Sequence, residues 1–565
     1  MKVRLHHTLT TPSRCVLLAI LLLQACSGDT TPSSPVDMSD ILDMKTDADQ
    51  GFQGADLTDA PDASDDLLAT PDTPADLDTA VDMKETEEPF LYPLPTAWSN
   101  RGPGFPKITF TDEQVYQHCA FLDGTEQDKD HHNLVVMYDG YLLMPWAHES
   151  LYGALTFFDM SDPCAPVKVG EQDAESMRET HSIGFLQHDG KRWAVTEGLE
   201  TINKGGLLFW DITDSTAPKP VLDFSVPGFF YPDAYKRVVL SAFWQGRYIY
   251  AAGSLNGIYI IDALDPTNPT LVNQYVFEPL MQAGQVQAVG NLLIVTTAEG
   301  RRAVLLDISD PENPQPIPGG DFQILDEEGV PREAYFSNVS NGHVFFARKE
   351  GGGGLIVYDI RDPQNPTRAG SYTSDGNGGY VFIKDDLAFV GESRFAAIYD
   401  VSDYAHITEI TRLNLKGDLD TITPIGNIAV LSVDDKAAPN EATSIVPFAS
   451  APDETPPSVD WIWPEDGATN LPLTSRFGLM FNEMTDVLSA FEGSVRLYEQ
   501  GASTPDEGRV PILVSTQENI LNVSPLEPLR PSTTYTLELL EGGIVDYSGN
   551  PLKETFRATF TTEAP

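Results

Sequence analysis

Short apolar runs bounded by turn residues recur through the middle of the chain, and none follows a helical period. "LVVMY" (Leu134–Tyr138), "GYLLMPWA", "KRWAVTEG", "GRYIYAAG", "NLLIVTTA", "GHVFFARK" and "DLAFVGES" are rich in β-branched and aromatic residues and lie beside Gly, Asp or Asn. Such runs read as buried strands joined by tight turns. A further apolar run then ends in a repeated punctuation. The copies are "LTFFDMSDPCAP" (Leu155–Pro166), "LLFWDITDSTAP" (Leu207–Pro218) and "IYIIDALDPTNP" (Ile258–Pro269), followed by "VLLDISDPENP" (Val304–Pro314), "LIVYDIRDPQNP" (Leu355–Pro366) and the degenerate "AAIYDVSDYAHI" (Ala396–Ile407).

The first aspartate of these copies falls at 159, 211, 262, 307, 359 and 400, so successive units are 52, 51, 45, 52 and 41 residues long. Units of that length built only of strands predict four-stranded propeller blades rather than a helical solenoid. A seventh unit, "GNIAVLSV" from Gly426 and "TSIVPF" (Thr443–Phe448), lacks both the Asp-Pro ending and an outer strand. The early run "KITFT" (Lys107–Thr111) is expected to supply that strand and close the ring, which protects the sheet edges. The expectation for residues 105–450 is therefore a seven-bladed β-propeller.

The octet "DISDPENP", with Asp307 and Asp310, has the look of an acid pair or a cation site. Six copies pointing in six directions cannot assemble one active site, and each offers too few oxygens at EF-hand-like spacing for calcium. Its chemistry suits turns instead. The first carboxylate can accept backbone N–H groups of the residues that follow, and the Asp-Pro and Asn-Pro pairs fix φ and forbid helix.

The repeat resembles the LVIVD-repeat family of bacterial and archaeal propellers, in which "LVIVDVSDPxNPxxVG" recurs once per blade. "LIVYDIRDPQNPTRAG" and "IYIIDALDPTNPTLVN" carry the likeness best, and the repeats span roughly 60% of the chain. The pattern departs at the seventh unit and at Asp403-Tyr404, where Asp-Pro is lost.

A Pro- and acid-rich break, "SAPDETPPSVD" (Ser450–Asp460), precedes a segment of different character, residues 456–565. Its short strands and Pro/Gly turns predict a β-sandwich. The order of Gly467, Pro472, Phe481, Pro531, Tyr535, Asp546, Gly549 and Asn550 resembles the bacterial Ig-like domains of surface-layer and adhesin-type proteins. That resemblance implies a spacer or an adhesive module, not a catalyst.

The N-terminus changes the picture from a fold to an address. Lys2, Arg4 and Arg14 precede "CVLLAILLL", too short to cross a bilayer and suited to a signal peptide over residues 1–25. The run ends in "LQAC" (Leu23–Cys26), which resembles the bacterial lipobox. The resemblance implies diacylation of Cys26, and Ser27 after it favours the outer membrane or cell surface. Residues 26–90 read as a disordered, self-extending tether, because residues 27–88 hold 18 Asp and Glu against two Lys and few apolar residues. The net charge of −49 speaks against binding nucleic acid, and the lipid is then the only contact with the membrane. Of the four cysteines, Cys119 and Cys164 lie in the folded part. They are either a disulfide, in keeping with an oxidising compartment, or two separate thiols.

No G-x-S-x-G, H-E-x-x-H, P-loop or Rossmann glycine pattern occurs. Propellers place ligands at the mouth of the central channel, so the starts of the inner strands are the place to look. His131 and His132 precede the inner strand of the first unit, and His181 that of the second. By the same count from the next turn, Arg237 and Glu333 fall in the third and fifth units. These residue types suit a metal or an anionic ligand at the channel rim, although no cofactor is evident and the metal is unknown. Two functions follow as expectations. One is a non-enzymatic cell-envelope lipoprotein whose propeller binds a protein, glycan or small ligand. The other is a periplasmic or surface enzyme, a hydrolase or metal-dependent, that uses the channel.

Overall fold

At Asp139-Gly140, Asp189-Gly190 and Asn341-Gly342 both residues take positive φ, at 57° and 75°, 51° and 68°, and 49° and 65°. Such turns match the twist of the strands they join, which is why Asx-Gly suits them. Each ends the innermost strand of a sheet and starts the next strand outward. The computed structural model describes residues 103–118, 120–122, 132–148, 152–349, 351–434, 436–438, 442–501 and 507–565. The expected signal peptide, the Cys26 lipidation site, the acidic tether, Cys119 and His131 lie outside them.

The described residues form an all-β structure with eight four-stranded antiparallel sheets, seven of them in the part before Val459. In chain order, from the innermost strand outward, blade 1 holds Val136–Tyr138, Tyr141–Ala147, Gly153–Asp159 and Val167–Ala174. Blades 2 to 6 repeat that order, and their innermost strands are Gly184–His188, Ser241–Gln245, Ala283–Val289, Glu333–Ser340 and Val381–Lys384. Blade 7 holds Leu419–Ile425, Ile428–Val433 and Thr443–Pro447. Successive innermost strands pack side by side from blade 2 to blade 7. Stacking of Tyr138 on Phe185, at 5.3 Å, and the 2.9 Å hydrogen bond from Thr421 Oγ1 to the Asn133 carbonyl bring blade 1 into the same ring. This is a β-propeller arrangement.

The outer strand of blade 7 is Ala120–Leu122, which pairs antiparallel with Thr443–Ile445. An early segment thus closes the ring, but not the one expected. Lys107–Thr111 forms no strand. It lies along the seam instead, where Phe110 N donates to the Ser450 carbonyl and the Ile108 carbonyl accepts from Asn427 Nδ2.

The octets are turns throughout. Asp307 Oδ1 accepts from Ser309 N at 2.8 Å, and Asp310 Oδ1 from Glu312 N at 3.2 Å. The same pair of contacts holds at Asp159 and Asp162, Asp211 and Asp214, Asp262 and Asp265, Asp359 and Asp362, and Asp400 and Asp403. A register shift ends at the residue just before the first aspartate in all six, at Phe158, Trp210, Ile261, Leu306, Tyr358 and Tyr399. The bulge sharpens the local twist before the chain turns outward. Cys164 sits in the first of these turns as an exposed, free thiol, so the expected disulfide is not formed in the described structure.

Residues from Val459 onward form the sandwich. One sheet has the order Val459–Trp463, Phe477–Phe481, Ile520–Pro525, Ile512–Gln517, and the other Val495–Glu499, Thr534–Leu539, Phe556–Thr561. Its core is packed by Phe477, Leu479, Leu521, Tyr535, Leu537 and Phe560. The acidic break does not hold the sandwich away from the propeller. Trp461, Met480 and Ile520 belong to the buried cluster of blades 3 to 5, and Leu513 to that of blades 2 and 3.

Candidate functional site

All innermost strands run from one mouth of the channel to the other, and the two mouths are built differently. At the far ends of these strands the sandwich seals the channel. Its Ile512–Gln517/Ile520–Pro525 hairpin pairs Gln517 with Ile520, leaving Glu518 and Asn519 at the tip. Glu518 has a φ of 56°, where glycine or asparagine is the usual residue. Its tertiary contacts offset that cost. Glu518 Oε2 accepts from Gln287 Nε2 of blade 4 at 2.7 Å and from Asn338 Nδ2 of blade 5 at 2.8 Å. Gln517 Nε2 donates to the Ala242 carbonyl of blade 3, and Asn519 Nδ2 to that of Val339. Asn522 Oδ1 accepts from Gln245 Nε2 and from Gly290 N, each at 2.8 Å. Burial pushes the Glu518 carboxyl up to about 7, although the two amides favour its ionised form.

A second anchor sits at blade 6. The Lys384 ammonium is buried against Glu483, lies 2.8 Å from Asp453 Oδ2 and contacts Asp385. Asp453, Glu483 and Asp546 are close enough together for a metal ion, but the ammonium already supplies the positive charge there. In the other acidic group, Asp326–Glu328, Asp326 is likewise held by Arg332.

The near mouth, where the innermost strands begin, contains the expected His132 and His181, both buried. His181 Nε2 lies 3.1 Å from Glu179 Oε1, out of line for a hydrogen bond. Its ring stacks on Phe336 at 5.1 Å, and Phe336 stacks on Tyr380 at 4.3 Å and 8°. Rings from blades 2, 5 and 6 therefore meet at this mouth. Glu179 Oε1 also accepts from Asn133 Nδ2 at 3.1 Å, while Arg178 Nη1 donates to the Val239 carbonyl. Glu197 Oε1 accepts from Ser182 Oγ at 3.0 Å, and burial pushes its carboxyl up to about 8. Burial also raises Asp420 well above the carboxylate range, and Asp418 and Asp434 push it further the same way.

Two of the expected rim residues do not join this cluster. Arg237 is half-exposed, bonded to Asp233 Oδ2 at 3.1 Å, with its guanidinium over the Phe230 ring. Arg237 N also donates to the Asp233 carbonyl, at the end of a short 3-10 turn (Tyr231–Asp233), so backbone and side chain both fold back onto that loop and not into the mouth. Glu333 begins its strand at the edge of the mouth and is paired with Arg301 Nη2 at 3.0 Å. Asn133 directly follows the expected His131-His132 pair and belongs with it, whereas sequence reasoning missed Arg178, Glu179, Glu197, Phe336, Tyr380 and Asp420, of which only Glu179, two residues before His181, stood near a signal. The Ser182 hydroxyl donates to Glu197 Oε1 and accepts from Ala242 N, so it joins this buried cluster to the inner strand of blade 3.

A bacterial Ig-like domain model matches residues 453–562, and an LVIVD repeat model matches residues 243–276. The chain thus carries an LVIVD repeat within its propeller and a bacterial Ig-like domain after it. No curated relative matches the chain. Solved structures with a similar fold include the β-propeller domain of Cps50 (Swd1) from Myceliophteria thermophila. It is 10% identical, with 57% of this chain and 98% of that one covered and a TM-score of 0.41. A protein from Lactobacillus plantarum is 11% identical over 52% of this chain and 95% of its own, with a TM-score of 0.40. Raptor from Chaetomium thermophilum is 11% identical over 61% of this chain and 29% of its own, with a TM-score of 0.43.

Proposed function

We propose that this protein is a lipid-anchored cell-envelope scaffold that binds a partner through its propeller, with Cys26 as the anchor and residues 26–90 as the tether. The observation that carries this reading is the docking of the Ig-like domain over one mouth through Glu518, Gln517, Asn519 and Asn522. A sandwich fixed in this way is part of one rigid body rather than a spacer, and the opposite mouth and the blade edges are left to meet a partner. The rigid body lowers the ordering cost of binding.

The runner-up is an enzyme in the near mouth. In its favour stand two buried carboxyls of the near mouth, Glu197, pushed up to about 8 by burial, and Asp420, raised by burial and by its acidic neighbours. One experiment separates the readings. Crosslinking pull-down from native envelopes is repeated with His131, His132 and His181 all replaced by alanine and with Cys26→Ser. Retained partner capture by the triple variant and release of the Cys26→Ser protein from membranes support the scaffold. Loss of a specific small ligand or metal by a folded triple variant supports the enzyme. Membrane retention of the Cys26→Ser protein removes the anchor from the proposal.

A further inference from the structure

The docked Ig-like domain creates a groove that neither domain has alone. It has a volume of about 620 Å³ and is walled by blade 4, blade 5 and the segment Trp463–Pro472. That volume lies within the roughly 300–1,000 Å³ of small-ligand sites. Trp463 lines it half-buried, with Trp461 stacked behind at 5.8 Å and 24°. Opposite stand the turns of two octets. Asp307 and Asp362 each spend Oδ1 on their own turn, and among the described residues neither Oδ2 is hydrogen-bonded. Gln364 lines the groove with them and adds a side-chain amide.

An indole that lines a groove together with carboxylate and amide groups is the chemistry that recognises a sugar ring. The C–H face of a pyranose packs on an aromatic plane, and its hydroxyls donate to carboxylate oxygens in charge-assisted bonds. We infer that the groove between blades 4 and 5 and the Ig-like domain binds an uncharged glycan chain. An anionic ligand would meet Asp307, Asp362 and Glu465 as like charges, with Arg361 already paired to Asp359. A purely apolar peptide would leave the carboxylate oxygens without donors.

The inference rests on the envelope-scaffold reading only for its setting, and the two fail separately. The test uses the chain from residue 26 to 565 with chitohexaose, cellohexaose and maltohexaose as probes, followed by calorimetry and tryptophan fluorescence. At least one probe is expected to bind. Trp463→Ala should weaken it by about tenfold or more. Asp307→Asn combined with Asp362→Asn should do the same while leaving the unfolding midpoint unchanged, because asparagine keeps the turn. No binding of any probe at about 10 mM overturns the inference. So does binding that ignores both variants, or capture of a proline-rich peptide by the same groove. None of these outcomes bears on partner capture in the envelope pull-down, which tests the scaffold reading on its own.

Discussion

Glu518 Oε2 accepts a hydrogen bond from Asn338 Nδ2 at 2.8 Å, across the boundary between the Ig-like domain and the inner strand of blade 5. The bond is buried, and the same oxygen serves Gln287 of blade 4. A single side chain from the sandwich therefore ties two blades together inside the channel.

Glu518→Ala should uncouple the domains. It strands the Gln287 and Asn338 amides away from water, at about 1–3 kcal/mol for each unsatisfied group. In denaturant, the wild-type chain should unfold in one transition and the variant in two, read by tryptophan fluorescence and circular dichroism together. A single unshifted transition in the variant would mean that the apolar contacts of Trp461, Met480 and Ile520 suffice.

Stability should fall as pH rises through neutrality. Glu197 is raised from 4.5 to about 8 and Glu518 to about 7, so the folded state holds protons that the unfolded state has released. Between about 4.5 and these values each group contributes a slope of up to about 1.4 kcal/mol per pH unit, with greater stability at the acid end. Glu197→Gln should flatten the difference between pH 5 and pH 8 in urea titrations. A slope identical to wild type would show that Glu197 is not a titrating group in that window.

The octet aspartates should tolerate asparagine and not alanine. Asp211→Ala loses the bonds to Thr213 N and Lys191 Nζ, a loss of about 0.5–1 kcal/mol for so exposed a site. Asp211→Asn keeps the turn and should sit close to wild type in thermal melts. Equal losses for both variants would put the effect in charge rather than in the turn.

Truncation should place the ring closure. A chain starting at residue 112 retains Ala120–Leu122 and its pairing with Thr443–Ile445, whereas one starting at residue 123 exposes the edge of Thr443–Pro447. The longer chain should keep the size of the full chain and the shorter one aggregate in sedimentation or light scattering. Equal behaviour would make Ala120–Leu122 dispensable.

The propeller was legible because its signal is repeated. Six Asp-x-x-Asp turns at regular spacing locate six sheets, and each of the twelve aspartates does in the structure what its chemistry suggests. The closing strand was misread because three residues, Ala120–Leu122, carry less pattern than "KITFT", and tertiary pairing rather than β-propensity selects between them. The sealed mouth was not legible at all. Glu518 at a hairpin tip and Asn522 and Gln245 on strands are single polar residues, joined by contacts that cross more than two hundred residues and leave no period behind. Arg237 was misplaced because counting back from a turn fixes a position along the chain but not its side chain's partner, and here the preceding Tyr231–Asp233 turn captures it through Asp233.

The seam of blade 7 gains a mechanical meaning if the chain hangs from a lipid. A pull on the N-terminus reaches the segment near Gly104 before it reaches Ala120. There Phe105 N is bonded to the Tyr547 carbonyl and Lys107 Nζ to Asn550 Oδ1, both on the Ig-like domain. Tension from the anchor is thus delivered first into the sandwich, and through it into the sealed mouth. The short strand that closes the ring lies downstream of this clamp, sheltered from the force that would otherwise peel it away.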